Sequence, residues 1–267
     1  MLWDTHMHTH FSGDSNADTF GMAEASIHAG VDGICFTDHM DLDYLEEESD
    51  KYIIDIPAYL KEMQQVQSKF SGKLPVNIGV ELGLQPHLKQ ELPKIADMYP
   101  FDFIIGSSHM VHGVDPYYPK YYQGRTEDEG YREYFESILE NLAVFDCFDV
   151  YGHIDYVVRY GPNKNQYYTY EKFADIIDEI LRTLIQKGKG IELNTAGFKY
   201  GLGHPNPTES ILKRYHELGG EIITVGADAH KPEHVAYDFG KVPGILQLAG
   251  FKYYTVFKNR KPVFYKL

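Results

Sequence analysis

The sequence predicts an α/β fold in which parallel strands close into a barrel, and three observations support this prediction. Seven short apolar segments alternate along the chain with segments of helical character, which is typical of a parallel sheet covered by helices. Six of these seven segments end in a histidine or a carboxylate. A barrel gathers side chains from the carboxyl ends of all its strands, whereas an open doubly wound sheet binds ligands only at its switch point.

The seven predicted strands are short and apolar, as expected of parallel strands that are buried on both faces. They span residues 2–5, 33–37, 76–81, 103–107, 150–152, 190–194 and 222–227. No low-complexity stretch or Pro/Gly/Ser-rich linker interrupts the series, so a single domain is expected over residues 1–267. Residues 253–257 and 262–265 predict a terminal hairpin that either covers the barrel or forms a sheet edge.

The segments between the strands predict helices. Residues 170–187 carry apolar side chains at helical spacing, which indicates a helix packed along one face. Residues 208–218 repeat this pattern, and Gly219 is placed to end that helix. A further helix is predicted over residues 19–29, with Gly30 at its end.

The chain has 39 acidic and 25 basic residues, and its formal charge is −14. This balance argues against a nucleic-acid or anionic-membrane surface, because phosphate contacts need clustered cations. It is compatible with a small anionic substrate, because bound metal ions reverse the local field. No segment reaches the roughly 18 apolar residues of a membrane span, and the amino terminus does not read as a signal peptide. We therefore expect a cytoplasmic protein with Cys35 and Cys147 as free thiols.

The first strand ends in two histidines that predict a metal chelate. Alternate side chains of a strand face the same way, so His6 and His8 point together. Imidazole suits zinc, iron and related ions. Asp4 shares this direction and is expected to orient one of the imidazoles. The alternative interpretation of His6 and His8 is a polar strand end that faces solvent. The last strand repeats the spacing with Asp228 and His230.

The second to fifth strands end in His39, Glu81, His109 and His153. Glu81 is the best candidate to bridge two metals, because a buried carboxylate is costly unless it is paired or metal-bound. Asp14 follows the first strand in a loop, where it either caps the helix that begins near residue 19 or bends back as an oxygen ligand.

Several side chains outside the strands are expected near the barrel mouth. Arg159 either clamps a phosphate or forms a loop salt bridge, and Lys231 is a similar candidate. The tyrosines of residues 115–123 either close over a substrate or pack on the rim. His10 and His112 are expected close enough to the mouth to support the site. Four histidines are expected on the surface: His28, His87, His216 and His234.

Taken in chain order, these motifs resemble the PHP family, named for polymerase and histidinol phosphatase, and within it the monofunctional histidinol-phosphate phosphatases. The resemblance extends over essentially the whole chain and implies a distorted (β/α)7 barrel of the PHP type. It rests on Asp4-Thr5-His6-Met7-His8, Thr37-Asp38-His39, Glu81, Ser108-His109, Gly152-His153 and Asp228-Ala229-His230.

The resemblance also implies up to three divalent metals, with zinc, iron and manganese left open. The implied ligands are His6, His8, Glu81 and Asp228 for the first metal, Glu81, His109 and His153 for the second, and Asp14, His39 and His230 for the third. Many family members have histidine where this chain has Asp14. A carboxylate is a harder ligand, so the identity and occupancy of the third metal stay open. An arginine after the fifth-strand histidine is shared, which favours Arg159 as a phosphate binder.

The function expected from this resemblance is hydrolysis of L-histidinol phosphate to L-histidinol and phosphate, a step of histidine biosynthesis. Two metals about 3.5–4 Å apart would share a hydroxide that attacks phosphorus. The third metal and Arg159 would neutralise the non-bridging oxygens. Asp228 would handle the proton of the nucleophile, and His39 or a neighbouring acid would protonate the leaving alcohol. Asp115 or Glu192 would meet the cationic groups of that alcohol at the mouth.

Two other functions are compatible with the same motifs. A PHP phosphodiesterase or exonuclease would act on nucleotides, although the charge of −14 argues against long polymers. A non-catalytic metal-binding protein is the other alternative. Structural zinc sites are usually closed by four ligands and often use cysteine, so a cluster of nitrogen and oxygen ligands favours an enzyme. The sequence leaves the oligomeric state open.

Overall fold

The computed structural model describes residues 2–45 and 50–267. Its strands form a parallel sheet in the order β1-β2-β4-β5-β6-β7-β8, with the short β3 paired to β4, and a separate antiparallel hairpin of β9 and β10. The strands are β1 Trp3–Asp4, β2 Gly33–Phe36, β3 His39–Met40, β4 Val76–Gly83, β5 Phe103–Ser107, β6 Val150–Tyr151, β7 Gly190–Asn194, β8 Ile223–Gly226, β9 Tyr253–Lys258 and β10 Lys261–Lys266.

The residues that follow β1 and β8 join the two edges of this sheet. The amide of Asp228 donates to the carbonyl of His6 at 2.8 Å, and the amide of His8 donates to the carbonyl of Ala229 at 2.8 Å. This seam closes seven parallel strands into a barrel, so the predicted barrel is confirmed. The seam is built from the same residues that carry candidate metal ligands.

Helices that follow the strands cover the outside of the barrel, apart from one four-residue helix after β7 that lies at the mouth. They are α1 Thr19–Ala29, α2 Ile56–Lys69, α3 Leu92–Met98, α4 Glu127–Val144, α5 Ala174–Gln186, α6 Ala196–Lys199, α7 Glu209–Glu217 and α8 Val242–Ala249. The apolar stripe of α5 turns Ile177, Leu181 and Leu184 into the core, where all three are fully buried. Among the described residues, no helix is both long enough and apolar enough to cross a bilayer.

The helix ends follow local sequence signals. The Asp18 carboxylate accepts a hydrogen bond from the amide of Gly21 at 2.7 Å and caps α1. Gly30 ends α1 with a φ of 73°, and Gly219 follows α7 with a φ of 97°. The predicted helix over residues 19–29 is thus confirmed. Helix α5 starts later than predicted, because Tyr170–Phe173 forms a 3-10 turn ahead of it.

The terminal hairpin covers the amino-terminal end of the barrel, which decides between the two alternatives that its sequence leaves open. Asn259 and Arg260 form its two-residue turn with φ values of 48° and 61°, as a type I′ turn requires. Phe257 stacks on Phe103 with ring centroids 5.2 Å apart, beside the free thiol of Cys35. These side chains fill the bottom of the barrel, and the opposite end contains the cavity described below.

Candidate metal centre

Loops at the carboxyl ends of the strands enclose a cavity of about 670 Å³. All nine side chains predicted as metal ligands line this cavity or lie directly beneath it: His6, His8, Asp14, His39, Glu81, His109, His153, Asp228 and His230. His6 and His8 are fully buried, so the alternative of a solvent-facing strand end is wrong. Residues up to 224 positions apart in the chain therefore meet at one site, because parallel strands end at the same rim.

The Glu81 carboxylate lies at the centre of this cluster. Its Oε1 atom is 3.0 Å from Nε2 of His153 and 3.3 Å from Nε2 of His109. Its Oε2 atom is 3.3 Å from Nε2 of His6 and 3.0 Å from Nδ1 of His39. The pairing of β3 with β4 sets His39 opposite Glu81. Each carboxylate oxygen thus faces a different set of imidazoles, which is the arrangement expected of a bridging ligand.

Asp228 connects the cluster to the barrel mouth. Its Oδ1 atom is 3.4 Å from Nε2 of His8, and its Oδ2 atom accepts a hydrogen bond from Nη1 of Arg159 at 2.9 Å. Its φ of 52° is unusual for a residue other than glycine. Such strained backbone is typical of functional sites, and here it turns the carboxylate toward the histidines of the first strand.

A third group of candidate ligands lies nearer to solvent. The Asp14 Oδ2 atom is 3.1 Å from Nε2 of His230 and 3.7 Å from Nε2 of His39. Because Asp18 caps α1, the interpretation of Asp14 as a helix cap is wrong. The His8 ring stacks on both His230 and His39, with centroids 4.1 and 4.2 Å away. The Asp14 carboxylate therefore lies beside the imidazoles of His230 and His39, and its role as an oxygen ligand stays a prediction.

Two buried carboxylates hold the candidate ligands from behind. Glu192 Oε1 is 2.6 Å from Nδ1 of His6, and Asp41 Oδ1 is 2.7 Å from Nδ1 of His109. Such contacts fix the tautomer and the orientation of a metal-binding imidazole. Sequence reasoning missed Asp41, although it follows His39 by two residues at the end of a strand.

Two predictions about supporting acids are wrong. Glu192 is fully buried beneath His6, so it does not reach the mouth to meet the cationic groups of the leaving alcohol. Asp4 does not contact an imidazole ring, because its carboxylate accepts hydrogen bonds from the amides of Ala227 and Ala236 at 3.0 and 2.9 Å. Burial raises the pKa of Asp4 to about 6, against the opposing effect of these amides.

The carboxylates and imidazoles of the cluster shift one another's pKa values strongly. Burial raises the pKa of Glu81, but His6, His109 and His39 outweigh it and hold this pKa well below its usual range. Burial lowers the pKa of His6, whereas Glu192, Glu81 and Asp228 outweigh burial and raise it. The pKa of His109 is raised to about 10, because Asp41 and Glu81 outweigh the effect of burial.

The chemistry of the cluster fits divalent metal ions. Among the described residues, Glu81 Oε2 and Asp41 Oδ2 are buried oxygens that accept no hydrogen bond, although Oε2 lies within 3.6 Å of three imidazole nitrogens. Buried oxygens without a donor are costly. Nitrogen and carboxylate donors in this number suit zinc, iron or manganese, and a cation between them would satisfy the unpaired lone pairs.

Arg159 is buried next to the cluster and also lines the cavity. Besides its bond to Asp228, it donates from Nε to Asn206 Oδ1 at 2.8 Å and from Nη2 to Asn194 Oδ1 at 3.1 Å. These three bonds use three of the five N–H groups of the guanidinium. Arg159 therefore forms a salt bridge and also lies in the site. The binding of phosphate by Arg159 stays a prediction.

The cavity wall contains further polar groups. Asp115 is buried and accepts hydrogen bonds from the Tyr44 hydroxyl at 2.6 Å and from the amide of Tyr117 at 2.7 Å. Lys231 is exposed and lines the cavity as predicted. Lys199, which sequence reasoning missed, also lines it and donates to the Asp228 carbonyl at 3.1 Å. Burial lowers the pKa of Lys199, and no motif in the sequence singles this residue out.

The tyrosines of residues 115–123 take two kinds of position, and closure of this loop over a substrate stays a prediction. Tyr117 and Tyr118 line the cavity. Tyr121 is buried instead and donates to the carbonyl of Gly130 at 2.7 Å, which packs the loop against the barrel.

Three peripheral histidines differ from their predicted places. His10 is exposed and lies 3.7 Å from Glu62, and His112 is exposed between Glu133 and Glu140. Neither contacts the cluster, so their predicted support of the site is wrong. His234 was expected on the surface, but it lines the cavity. The positions of such loop residues depend on the path of the backbone, and motifs at strand ends do not predict that path.

Comparisons with known proteins agree with this geometry. A family model described as PHP domain matches residues 4–196. The histidinol-phosphatase of Lactococcus lactis is 32% identical, with 97% of this chain and 98% of that protein aligned. A probable histidinol-phosphatase of Clostridium acetobutylicum is also 32% identical, over 100% of this chain and 97% of that protein.

Solved structures give the same result. The crystal structure of histidinol phosphate phosphatase from Lactococcus lactis, complexed with zinc, L-histidinol and phosphate, superposes with a TM-score of 0.91 over 98% of both chains at 32% identity. A putative histidinol phosphatase from Listeria monocytogenes, 19% identical with a TM-score of 0.77 over 90% of this chain and 99% of that chain, shares the fold. The strand-end ligands, the barrel and the family match lead to one conclusion: this chain belongs to the PHP domain family.

Proposed function

We propose that this chain is a metal-dependent phosphomonoesterase that hydrolyses L-histidinol phosphate to L-histidinol and phosphate, as a step of histidine biosynthesis. One observation carries the proposal: nine histidine and carboxylate ligands converge beneath an open cavity. The relative that is 32% identical over nearly its whole length is a histidinol-phosphatase, and its structure holds zinc, L-histidinol and phosphate.

We assign three divalent cations to three groups of side chains. The proposed sets are His6, His8, Glu81 and Asp228, then Glu81, His109 and His153, and finally Asp14, His39 and His230. Bound cations supply a Lewis acid that polarises phosphoryl oxygens and makes water nucleophilic at neutral pH. The Asp14 carboxylate replaces a softer nitrogen donor in the third set, which favours a harder ion there.

The protein side chains supply charge and proton transfer. Arg159 and Lys199 both line the cavity and both bind Asp228, so they are placed to neutralise phosphoryl oxygens. Asp228 is the proposed acceptor of the proton that the attacking water loses. Lys231 extends the positive charge toward the entrance.

The leaving alcohol needs a proton donor and a binding surface. We assign the proton to His39, whose pKa is raised because Asp14 and Glu81 outweigh the effect of burial. A ligated nitrogen cannot donate, so a neighbouring acid would supply the proton when His39 holds the third cation. L-Histidinol carries an ammonium and an imidazole. The buried Asp115 carboxylate and the faces of Tyr117 and Tyr118 provide anionic and aromatic surface for such groups.

The deciding experiment is metal analysis of freshly purified protein, paired with phosphate release from L-histidinol phosphate. We expect divalent metal in the protein and release of phosphate that a chelator abolishes. Full metal content without hydrolysis of any phosphoester in a panel would instead indicate a metal-binding protein. Faster turnover of bis-p-nitrophenyl phosphate than of the monoester would indicate a phosphodiesterase.

A further inference from the structure

We propose that Asp155 and Asn206 are positioning residues that fix the Arg159 guanidinium in the site through one buried chain of hydrogen bonds. This inference rests on the proposed function, because it assumes that Arg159 binds the phosphoryl group. It adds two residues that lie outside the metal cluster and outside every motif of the sequence.

The chain begins at the guanidinium itself. Arg159 donates to Asn206, Asn194 and Asp228, and all three acceptors are buried. A guanidinium is planar and its N–H groups form a rigid fork. Three bonds to three separate residues therefore fix both the position and the plane of the group. The bond to Asp228 alone would leave the guanidinium free to rotate about that contact.

Asn206 can serve as an acceptor only in one orientation of its amide. Its Nδ2 atom donates to Asp155 Oδ1 at 2.6 Å, while its Oδ1 atom accepts from Nε of Arg159 at 2.8 Å. A carboxylate offers only acceptors. Asp155 therefore selects the orientation in which the amide oxygen faces Arg159. In the reversed orientation, the amide N–H₂ would face the N–H of the guanidinium, and neither could accept.

Asp155 is itself held by the backbone. Its Oδ2 atom accepts from the amide of Thr208 at 3.0 Å, at the residue that precedes α7. The amino-terminal end of a helix favours a negative charge. Asp155 and Asn206 are both fully buried, so solvent does not compete for their bonds. The chain from Thr208 to Arg159 thus links the loop after β7 to the loop after β6, directly beside the metal cluster.

The Asp155→Asn variant tests this chain, because its amide can donate to Asn206 and release the orientation of that residue. We expect the KM for L-histidinol phosphate and the Ki of inorganic phosphate to rise about tenfold, as for loss of one hydrogen bond to a charged group. We expect kcat to change by less than about threefold and the metal content to stay constant. The Asn206→Ala variant breaks the chain one bond closer to Arg159 and should raise KM similarly.

Asp149→Asn is the matched control. Asp149 is also buried, and it binds the amide of Ile104 and the Arg260 side chain at the opposite end of the barrel. It should leave KM unchanged. Adding Asp155→Asn to Arg159→Ala should change KM by less than about twofold further, because the chain acts through Arg159.

Unchanged KM and Ki in both folded variants would overturn the positioning role, and so would full additivity with Arg159→Ala. Binding of inorganic phosphate to the metal-loaded protein, measured by calorimetry, tests this role independently of turnover. A wild-type protein that binds phosphate but hydrolyses no phosphomonoester would overturn the proposed function alone. Weaker phosphate binding in the Asp155→Asn protein would still support the positioning role.

Discussion

The two carboxylate oxygens of Glu81 face two different sets of imidazoles, so loss of this side chain would remove the contacts to both sets at once. We expect Glu81→Ala to lower kcat/KM by roughly 1,000-fold or more, because a metal ligand contributes several kcal/mol to transition-state stabilisation. The barrel should remain folded, since Glu81 is surrounded by other polar ligands. Circular dichroism and phosphate release together check this expectation, and a nearly active variant would refute the bridging role.

The carboxylate partners of the histidines should control metal affinity. Glu192 binds Nδ1 of His6 at 2.6 Å. We expect Glu192→Gln to weaken metal binding about 10- to 100-fold, as removal of such outer contacts does. Competition with a chromogenic chelator measures the change. Glu171→Gln is the matched control, because Glu171 is exposed on the outside of the barrel. Equal metal affinity in the two variants would contradict the supporting role of Glu192.

At the scale of single residues, the sequence predicts the candidate metal ligands better than the carboxylates that orient them. His6 and His8 follow from the two-residue period of a strand, which needs no tertiary information. The contact of Glu192 with His6 joins β7 to the segment after β1, and the contact of Asp41 with His109 joins two separate strand ends. Such contacts depend on the shear and tilt of the closed barrel, and spacing along the chain does not encode these quantities.

At the scale of elements, the terminal hairpin illustrates what alternation alone cannot decide. The pattern of β9 predicts a strand, but a strand of this kind could cover the barrel or extend a sheet. The position of the hairpin depends on Phe257, which packs against Phe103 and Cys35 at the bottom of the barrel. The seam between the residues after β1 and β8 is likewise absent from the sequence pattern, because it joins segments at opposite ends of the chain.

The packing of Phe257 into the bottom of the barrel should contribute to stability and not to catalysis. Phe257 is 4% exposed, so Phe257→Ala leaves a cavity and should cost about 3–5 kcal/mol of unfolding free energy. Because the hairpin lies opposite the cavity mouth, kcat/KM per folded molecule should stay unchanged. Denaturant unfolding and steady-state kinetics measure the two quantities.

Tyr253→Ala on the same strand is the control for this prediction, because Tyr253 is 48% exposed. It should cost far less unfolding free energy than Phe257→Ala. Loss of activity in the folded Phe257→Ala protein would show that the hairpin influences the site across the barrel.

At the scale of the whole molecule, metal removal should destabilise the fold. The cluster concentrates acidic side chains and imidazoles in buried positions, and a ligand that binds only the folded state stabilises it by mass action. At a free metal concentration 100 times Kd, each site contributes about 2.7 kcal/mol. We therefore expect a chelator to lower the melting temperature and added zinc or manganese to restore it. An unchanged melting temperature in the metal-depleted protein would contradict a resident metal centre.

Metal binding should also release protons. The pKa values of His6, His39 and His109 are raised in the metal-free protein, to about 10 for His109. The His109 imidazole is therefore protonated at pH 7 and must lose a proton to bind a cation, and the raised pKa values of His6 and His39 act in the same direction. Apparent metal affinity should increase with pH. Calorimetric titration in two buffers of different ionisation enthalpy measures the release, and identical heats in both buffers would contradict it.

The barrel seam has a consequence for how the polypeptide reaches its native topology. Thr5 binds the Val225 carbonyl across 220 residues, so this contact carries one of the largest loop-closure entropies that the chain can incur. Long-range pairings of this kind form late in folding. A chain arrested before this step would have most of its helices and strands, but Asp228 and His230 would be separated from the other ligands of the first and third proposed sets. Uptake of a cation by the first or third set during refolding would thus report the closure of the barrel.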